Sequence, residues 1–416
     1  MDHTREIRSV RVTTLFNKLL NLQGLWIEGF AFEDDDLVLY ARPRRRRMVC
    51  PHCGSSHPDT RSGKPRRWRH LGIWSRRVWI ESPIRRFDCR RCDITVTESV
   101  PWARHGSDFT KQFEDAVGLL AQRTDHTAVS QLFGIAWVTV GNIAERLVDE
   151  LLDPDRFATL RRIGVDEISF RKHHRYLTIV TDHDTGNVVW VAEGKSSDVL
   201  KGFFKSLPQD VCEAIEIVTM DMSQAYQKAV RESLPNAIIA FDHFHVAKLA
   251  NEALNEVRRS AVREASRTDP EQAKAIKGLR WTTLYRFDNL PEKHESSLEL
   301  LDPELPLGMA YLLKEQLLML LRRPTGFKPR LLDWVVAATE SAIDPFVRLG
   351  NTIHDHLDGI FAFMDNLVSN ARAEGINNKV RLLSHRAFGF HSAAPLIATI
   401  YLCCGGIQLP QSLHLL

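Results

Sequence analysis

The chain lacks the motifs for several common chemistries. Its 416 residues contain no glycine-rich phosphate loop, no dinucleotide fingerprint and no nucleophile elbow. P-loop hydrolysis, hydride transfer and serine-hydrolase chemistry therefore have nothing to rest on. Seven cysteines make no even framework of the disulfide kind, which points to a reducing compartment. Met1–Arg11 mixes acidic and basic residues and has no basic-then-apolar leader. The longest apolar run, Ala393–Ile407, is broken by Pro395 and by Gly405-Gly406, short of a membrane span. There is no internal repeat, and low complexity is confined to Arg44–Arg47. With 44% hydrophobic and 26% charged residues, the expectation is a cytoplasmic chain of two or three domains with no membrane partner.

Net charge is also nearly absent, at +3, but its distribution is uneven. Between Arg42 and Cys92 stand 16 Lys/Arg and 3 Asp/Glu, a local excess of +13 that leaves the remainder acidic. Such a block is an electrostatic footprint for nucleic acid. Arg44, Arg45, Arg46, Arg47, Arg66, Arg67, Arg69, Arg76 and Arg77 interleave with Trp68, Trp74 and Trp79. Guanidinium groups suit phosphate oxygens and stacking, so these arginines are candidate DNA contacts. Within the block lie Cys50-Pro-His-Cys53 and Cys89-Arg-Arg-Cys92. Two Cys-x-x-Cys knuckles are a tetrahedral zinc signature, and Trp68–Phe87 can fill the long spacer with strands, as in a zinc ribbon. His52, His57 and His70 are alternative ligands, although four thiolates already complete a shell. Asp34-Asp35-Asp36 reads as an exposed turn. Residues 1–106 are thus expected to form a zinc-binding, basic, DNA-binding module.

Helical spacing over Phe109–Gln122, Ala128–Leu132 and Val138–Leu151, with a turn at Phe133-Gly134-Ile135, outlines a helix-turn-helix over residues 107–153.

A catalytic α/β core is expected next. Ile163–Phe170, Arg175–Asp182 and Val188–Glu193 read as a strand meander, the last two separated by the turn residues of Asp182–Asn187. Ser197–Leu207 is helical, Ala214–Met220 a strand, Gln224–Leu234 a helix and Ala237–Phe241 a strand. Three strands, helix, strand, helix, strand is the order of a ribonuclease H-like fold, with 160–245 as its first part. That order sets Asp166 and Asp221 side by side on central strands. Neighbouring carboxylates repel, and Mg²⁺ (or Mn²⁺) relieves the repulsion while serving phosphoryl transfer. Asp242, at the end of the fifth strand, is the alternative to Asp221. Glu167 should point to the opposite face of its strand. His243 and His245 read as core histidines, with support to the carboxylates or DNA contact as the alternatives.

Residues 246–362 show helical segments without strand pattern, an all-helical insertion in which Trp281, Phe287 and Trp334 are expected in the core. The last part, 363–416, is expected to return to the catalytic core. It carries Glu374 among Asn370, Arg372, Asn377, Asn378, Lys379 and Arg381, with Arg372, Lys379 and Arg381 facing phosphate. The predicted class is therefore a multidomain α+β chain: zinc module, helix-turn-helix, and a ribonuclease H-like core interrupted by helices.

Several motifs together give the chain a resemblance. They include the paired knuckles with Arg85-Arg-Phe-Asp-Cys89, Gly164-Val-Asp166-Glu-Ile-Ser-Phe-Arg171, Met220-Asp221-Met-Ser-Gln-Ala-Tyr226 and Phe241-Asp-His-Phe-His245. Asn251–Arg258, Lys277-Gly-Leu-Arg-Trp281 and the Glu374 segment with Arg386-Ala-Phe-Gly-Phe390 complete the set. Over nearly its whole length the chain resembles bacterial insertion-sequence transposases of the ISL-three family. The resemblance implies an Asp-Asp-Glu triad of Asp166, Asp221 and Glu374 holding Mg²⁺, with Asp166 bridging two ions. It also implies DNA partners, both terminal inverted repeats and target DNA, and a homodimer or larger synaptic assembly at the nucleoid. The competing readings are a zinc-dependent DNA-binding regulator and a structure-selective nuclease that cuts without joining.

Overall fold

The computed structural model of the chain describes residues 11–58, 63–171, 175–294, 301–322, 325–366, 375–376, 378–383 and 392–410. The chain divides into two compact units, residues 1–152 with 386–416, and residues 153–385.

In the first unit, α1 (Val12–Leu20) ends at Asn21, whose left-handed backbone turns the chain into β1 (Leu25–Glu33). A turn at Asp34 leads into β2 (Asp36–Pro43). Two short strands follow, β3 (Met48–Val49) and β4 (Ser56–His57), then the long hairpin of β5 (Lys64–Ile73) and β6 (Arg76–Ile84). The expected strands of the cysteine spacer are therefore present, but they belong elsewhere. β5 and β6 join β1 and β2 in a four-stranded sheet of order β1-β2-β6-β5. Its buried side carries Leu25, Ile27, Leu39, Trp68, Val78 and Ile80, and Trp102 meets Trp68 edge-on at 5.6 Å. The spacer is long because it contains half of a neighbouring sheet. The knuckles sit on what remains: β3 paired with β4, and β7 (Arg86–Cys89) paired with β8 (Ile94–Thr97).

The helix-turn-helix follows as expected. Thr110 caps α2 (Lys111–Ala121) by accepting from the Phe113 amide, and Asp125 caps α3 (His126–Phe133) by accepting from Thr127 and Ala128. Gly134, at φ 57°, ends α3 in the left-handed conformation a glycine adopts without penalty. The chain then enters α4 (Trp137–Leu151) at 105° to α3. Phe113, Val117, Val129, Val140, Ile143 and Leu147 form the shared core. Glu114 is wholly buried below α2, accepting from Ser107 Oγ at 2.7 Å and Arg146 Nη2 at 2.5 Å, with Arg104 Nη1 at 3.2 Å.

One element differs from the sequence reading. The helix Ala393–Cys404 does not accompany the catalytic core. Leu402, Ile407 and Leu409 pack into the helix-turn-helix core, and Gln122 Nε2 donates to the carbonyls of Leu402 (2.7 Å) and Ile407 (3.1 Å). A helix apolar on every side announces burial but not its partner. No single helix among the described residues is long and apolar enough to cross a membrane.

The second unit is built on a five-stranded sheet of order β11-β10-β9-β12-β13. β9 (Arg162–Arg171), β10 (Arg175–Asp182) and β11 (Val188–Glu193) form the antiparallel meander. β12 (Ile217–Met220) runs parallel to β9, and β13 (Ile238–Phe241) parallel to β12. α5 (Ser197–Ser206) and α7 (Gln224–Ser233) connect them, as read from sequence. The short α6 (Gln209–Ala214), opened by Pro208, occupies the stretch where the fourth strand was expected to start. Ile163, Val165, Val180 and Val218 pack with Phe203, Tyr226 and Val230.

Beyond β13 the structure is helical. α8 (His243–Thr268) is a single long helix, α9 (Pro270–Gly278) folds back on it, and helices Pro306–Leu320, Phe327–Thr339, Asp344–Asp355 and Leu357–Asn366 follow. The last of these lies against β13 so closely that a Cβ on Gly359 would stand 2.3 Å from the Phe241 ring. Trp334 is buried at 3% exposure, as expected, but Trp281 and Phe287 are 61% and 63% exposed. The expectation that these two belong to the core is corrected.

Candidate catalytic and metal centres

Asp166 sits in the middle of β9, opposite Ile179 of β10. Val165 before it faces the core; Asp166 lies on the other face, with Gly164. A Cβ on Gly164 would stand 2.7 Å from Thr181 Oγ1 and 3.0 Å from His183 Nε2, so this side of the strand has room only for glycine. Glu167 is paired with Thr178, whose hydroxyl bonds Tyr226 Oη at 2.8 Å on the α7 side, so it faces away from Asp166.

On β12, Thr219 is in register with Gly164. Carried two residues further, that register sets Asp221 beside Asp166. Asp221 Oδ1 accepts from the Ser223 amide at 2.9 Å, which fixes the carboxylate at the strand end. Asp166 Oδ1 accepts from the Glu167 amide at 2.8 Å, while its buried Oδ2 has no hydrogen-bond donor among the described residues. Burial raises the Asp166 pKa above the ordinary carboxylate value, and the nearby Asp221 charge adds to the rise; His245 and Arg381 oppose it. Arg381 Nη2 lies 3.7 Å from Asp166 Oδ2. A half-buried carboxylate pair with an orphaned oxygen is the donor set a hard divalent cation requires, so the residues present fit Mg²⁺ or Mn²⁺.

The other candidates fall as follows. Glu374 and Arg372 lie outside the described residues. Arg381 belongs to helical residues 378–383, shortly after Glu374 in the chain, and Lys379 is exposed. Asp242, the alternative carboxylate, caps α8 by accepting from the Phe244 amide at 2.8 Å. His243 packs at 4.4 Å from the Phe363 ring, and burial holds it down to about 4, as a core histidine. His245 contributes favourable charge to Asp166, in line with the supporting role that is its alternative to a core position.

In the first unit, the sulfurs of Cys50, Cys53, Cys89 and Cys92 all lie within 4.8 Å of one another. Cys50 and Cys92 are 3.9 Å apart and Cys53 and Cys89 3.6 Å apart. Tetrahedral zinc with Zn–S bonds of about 2.3 Å separates its sulfurs by about 3.8 Å. The cluster fits zinc. Ser55, bonded to the Cys89 sulfur, holds that thiol down to about 5, whereas the adjoining Cys53 sulfur pushes Cys92 up to about 12. His57 bonds Ser55 Oγ at 2.9 Å and is not needed as a ligand.

The arginines of the basic block are not equivalent. Arg66 pairs with Asp108 at 2.8 Å, Arg77 with Asp36 at 2.7 Å, and Arg67 with both Glu33 (2.6 Å) and Glu81 (2.7 Å). Arg69 donates to the carbonyls of Phe133 (2.6 Å) and Gly134 (3.0 Å), tying β5 to the turn of the helix-turn-helix. Arg76 lies over the Phe32 ring and 4.0 Å from Asp35. Arg44 donates to the Leu25 carbonyl at 2.8 Å beside Trp26, and Arg47 to Ser56 Oγ at 2.8 Å. Arg45 and Arg46 are exposed and form no ion pair among the described residues.

A mixed sheet with two neighbouring carboxylates, in a chain that also carries a four-cysteine ribbon and a helix-turn-helix, is the arrangement of a metal-dependent DNA-processing enzyme. Residues 163–400 match a family described as transposase, 98–148 the helix-turn-helix domain of transposase family ISL3, and 46–92 the zinc-finger of transposase IS204/IS1001/IS1096/IS1165. The chain belongs to the ISL3 family of DDE transposases. It is 37% identical to a Mycobacterium tuberculosis transposase for insertion sequence element IS1557, over 96% of both chains. It is 30% identical to a Bordetella parapertussis transposase for element IS1001, over 90% of this chain and 94% of that one.

Proposed function

We propose that Asp166, Asp221 and Glu374 form the catalytic triad that cuts DNA at the ends of an insertion sequence and joins those ends to target DNA. The observation that carries the reading is the neighbouring Asp166 and Asp221, with one Asp166 oxygen lacking a hydrogen bond among the described residues and ion-paired to Arg381 at 3.7 Å. Asp166 and Asp221 would hold a divalent cation, and Glu374 would complete the set. When bound, the cation supplies Lewis-acid stabilisation of the attacking and leaving oxygens of an in-line phosphoryl transfer.

The chain's own residues do the rest. Asp221, fixed by the Ser223 amide, presents its other oxygen without reorganisation. Arg381 balances the carboxylates and can bond a non-bridging phosphate oxygen. The nucleophile is water for cleavage and a DNA 3′-hydroxyl for joining, so no covalent protein–DNA bond is required. The four-cysteine module and helix-turn-helix bring terminal inverted repeats to this chemistry, with the exposed Arg45 and Arg46 offering charge to the backbone. Joining needs two ends together, which favours a homodimer or larger assembly working on nucleoid DNA.

The test is incubation of a labelled element-end fragment and a target plasmid with Mg²⁺. Nicked ends and strand-transfer products are expected from the wild type and neither from Asp166→Asn, Asp221→Asn or Glu374→Gln. Nicking without joining would leave a nuclease. Retained cutting in Asp221→Asn would move the role to Asp242.

A further inference from the structure

Trp281 and its surroundings are not used by the carboxylate site or by the helix-turn-helix. α8 and α9 enclose an open groove of about 980 Å³, within the size range of ligand clefts. Arg259, Arg263, Lys274, Lys277 and Arg280 line it with exposed side chains, and none forms an ion pair among the described residues. Its one carboxylate, Glu256, is engaged by Arg348 at 2.7 Å. At the mouth stands Trp281, 61% exposed, with the Arg280 guanidinium 5.3 Å from its ring centroid. An uncompensated cationic wall and a large indole in water both oppose the folded state. Each becomes favourable only against an anionic partner that also carries flat apolar surface.

We propose that this groove binds an unpaired DNA strand, its phosphates along the basic wall and one base stacked on Trp281. DNA fits because it carries phosphate charge and flat aromatic faces together, as single-strand binding sites exploit. The strand is unpaired because a base inside a duplex has both faces covered by its neighbours. Arg258, buried at the back of the groove and held by Asn255 Oδ1 at 2.8 Å, is already pressed by the charges of Arg280 and Arg259. A bound phosphate would relieve that crowding. The location on the helical insertion separates this contact from the basic block of the first unit, so the protein has a second class of DNA site.

The experiment uses the full chain without added divalent metal, so that no cutting occurs. Binding of a fluorescent oligothymidine of about 12 nucleotides is compared with binding of a blunt duplex of unrelated sequence and of an element-end duplex. Trp281→Ala should weaken oligothymidine binding about tenfold, the scale of one lost base stack, with Trp281→Phe close to wild type. The triple change Arg263→Ala, Lys274→Ala, Lys277→Ala should flatten the salt dependence of oligothymidine binding by about 2 in log–log slope. Element-end binding should be unchanged in all three. Undiminished oligothymidine binding in both Trp281→Ala and the triple variant would overturn the site. Equal losses for oligothymidine and unrelated duplex would overturn its preference for an unpaired strand. The triple variant alters only exposed side chains, so it tests the basic wall even if Trp281→Ala fails to fold.

Discussion

Arg381 Nη2 approaches Asp166 Oδ2 to 3.7 Å, bringing a cation from helical residues 378–383 to a carboxylate 215 positions earlier in the chain. The pair spans the sheet and the segment that follows Glu374. It therefore links the two parts of the core that the helical insertion separates in sequence.

Removing that cation should change the pH dependence of cutting. Arg381 lowers the Asp166 pKa against the larger effect of burial. In Arg381→Ala the pKa rises further, so less Asp166 is ionised at a given pH. The acid limb of the rate profile should move to higher pH, with the rate loss growing as pH falls. An unshifted acid limb in the variant's pH–rate profile would show that Arg381 does not act through Asp166.

A second consequence concerns stability. Because the folded Asp166 pKa is raised, the protonated form is favoured in the native state, and stability is lost as pH rises through the folded pKa. At neutral pH and without divalent metal, Asp166→Asn should therefore melt higher than wild type, by about 2–4 °C for each ~1 kcal/mol relieved. Mg²⁺ should raise the wild-type Tm and leave the variant nearly unmoved. Differential scanning calorimetry with and without the metal separates the two.

Much of the second unit was legible in advance. β10 and β11 begin and end at the residues expected, because Asp182–Asn187 is dense in turn formers. The Asp166–Asp221 neighbourhood followed from strand order. What escaped was partnership. Apolar periodicity marked Ala393–Cys404 as buried without saying that the helix-turn-helix buries it. Arg66, Arg67 and Arg77 read as phosphate contacts because carboxylates distant in sequence, among them Asp108 and Glu33, could not be seen beside them. Trp281 read as core because an indole at helical spacing usually is.

The four-cysteine module has a small core of its own: Met48, Cys50, Phe87, Cys89 and Val96. So little apolar surface does not hold strands this short together, and the metal supplies the remainder. Cys50→Ser with Cys89→Ser, or a zinc chelator, should weaken element-end binding at least about tenfold and release bound zinc. The second unit should still unfold cooperatively. Zinc content by atomic absorption and binding by electrophoretic shift check both halves.

Leu402 is 1% exposed within the helix-turn-helix core. Leu402→Ala should destabilise the first unit by about 2–5 kcal/mol and weaken end binding in proportion to the fraction unfolded. Deleting 392–416 should abolish end binding altogether. Unchanged binding by the deletion in a filter assay would show that α2, α3 and α4 stand without it.

The same arrangement sets when the core of this unit can close during synthesis. α2, α3 and α4 leave the ribosome early, but the side chains that cover Phe113 and Leu147, and the carbonyls that hold Gln122, arrive some 280 residues later. A half-made polypeptide has an incomplete reading head. Until the catalytic half has been translated, Phe113 and Leu147 lack the cover that Leu402, Ile407 and Leu409 give that core.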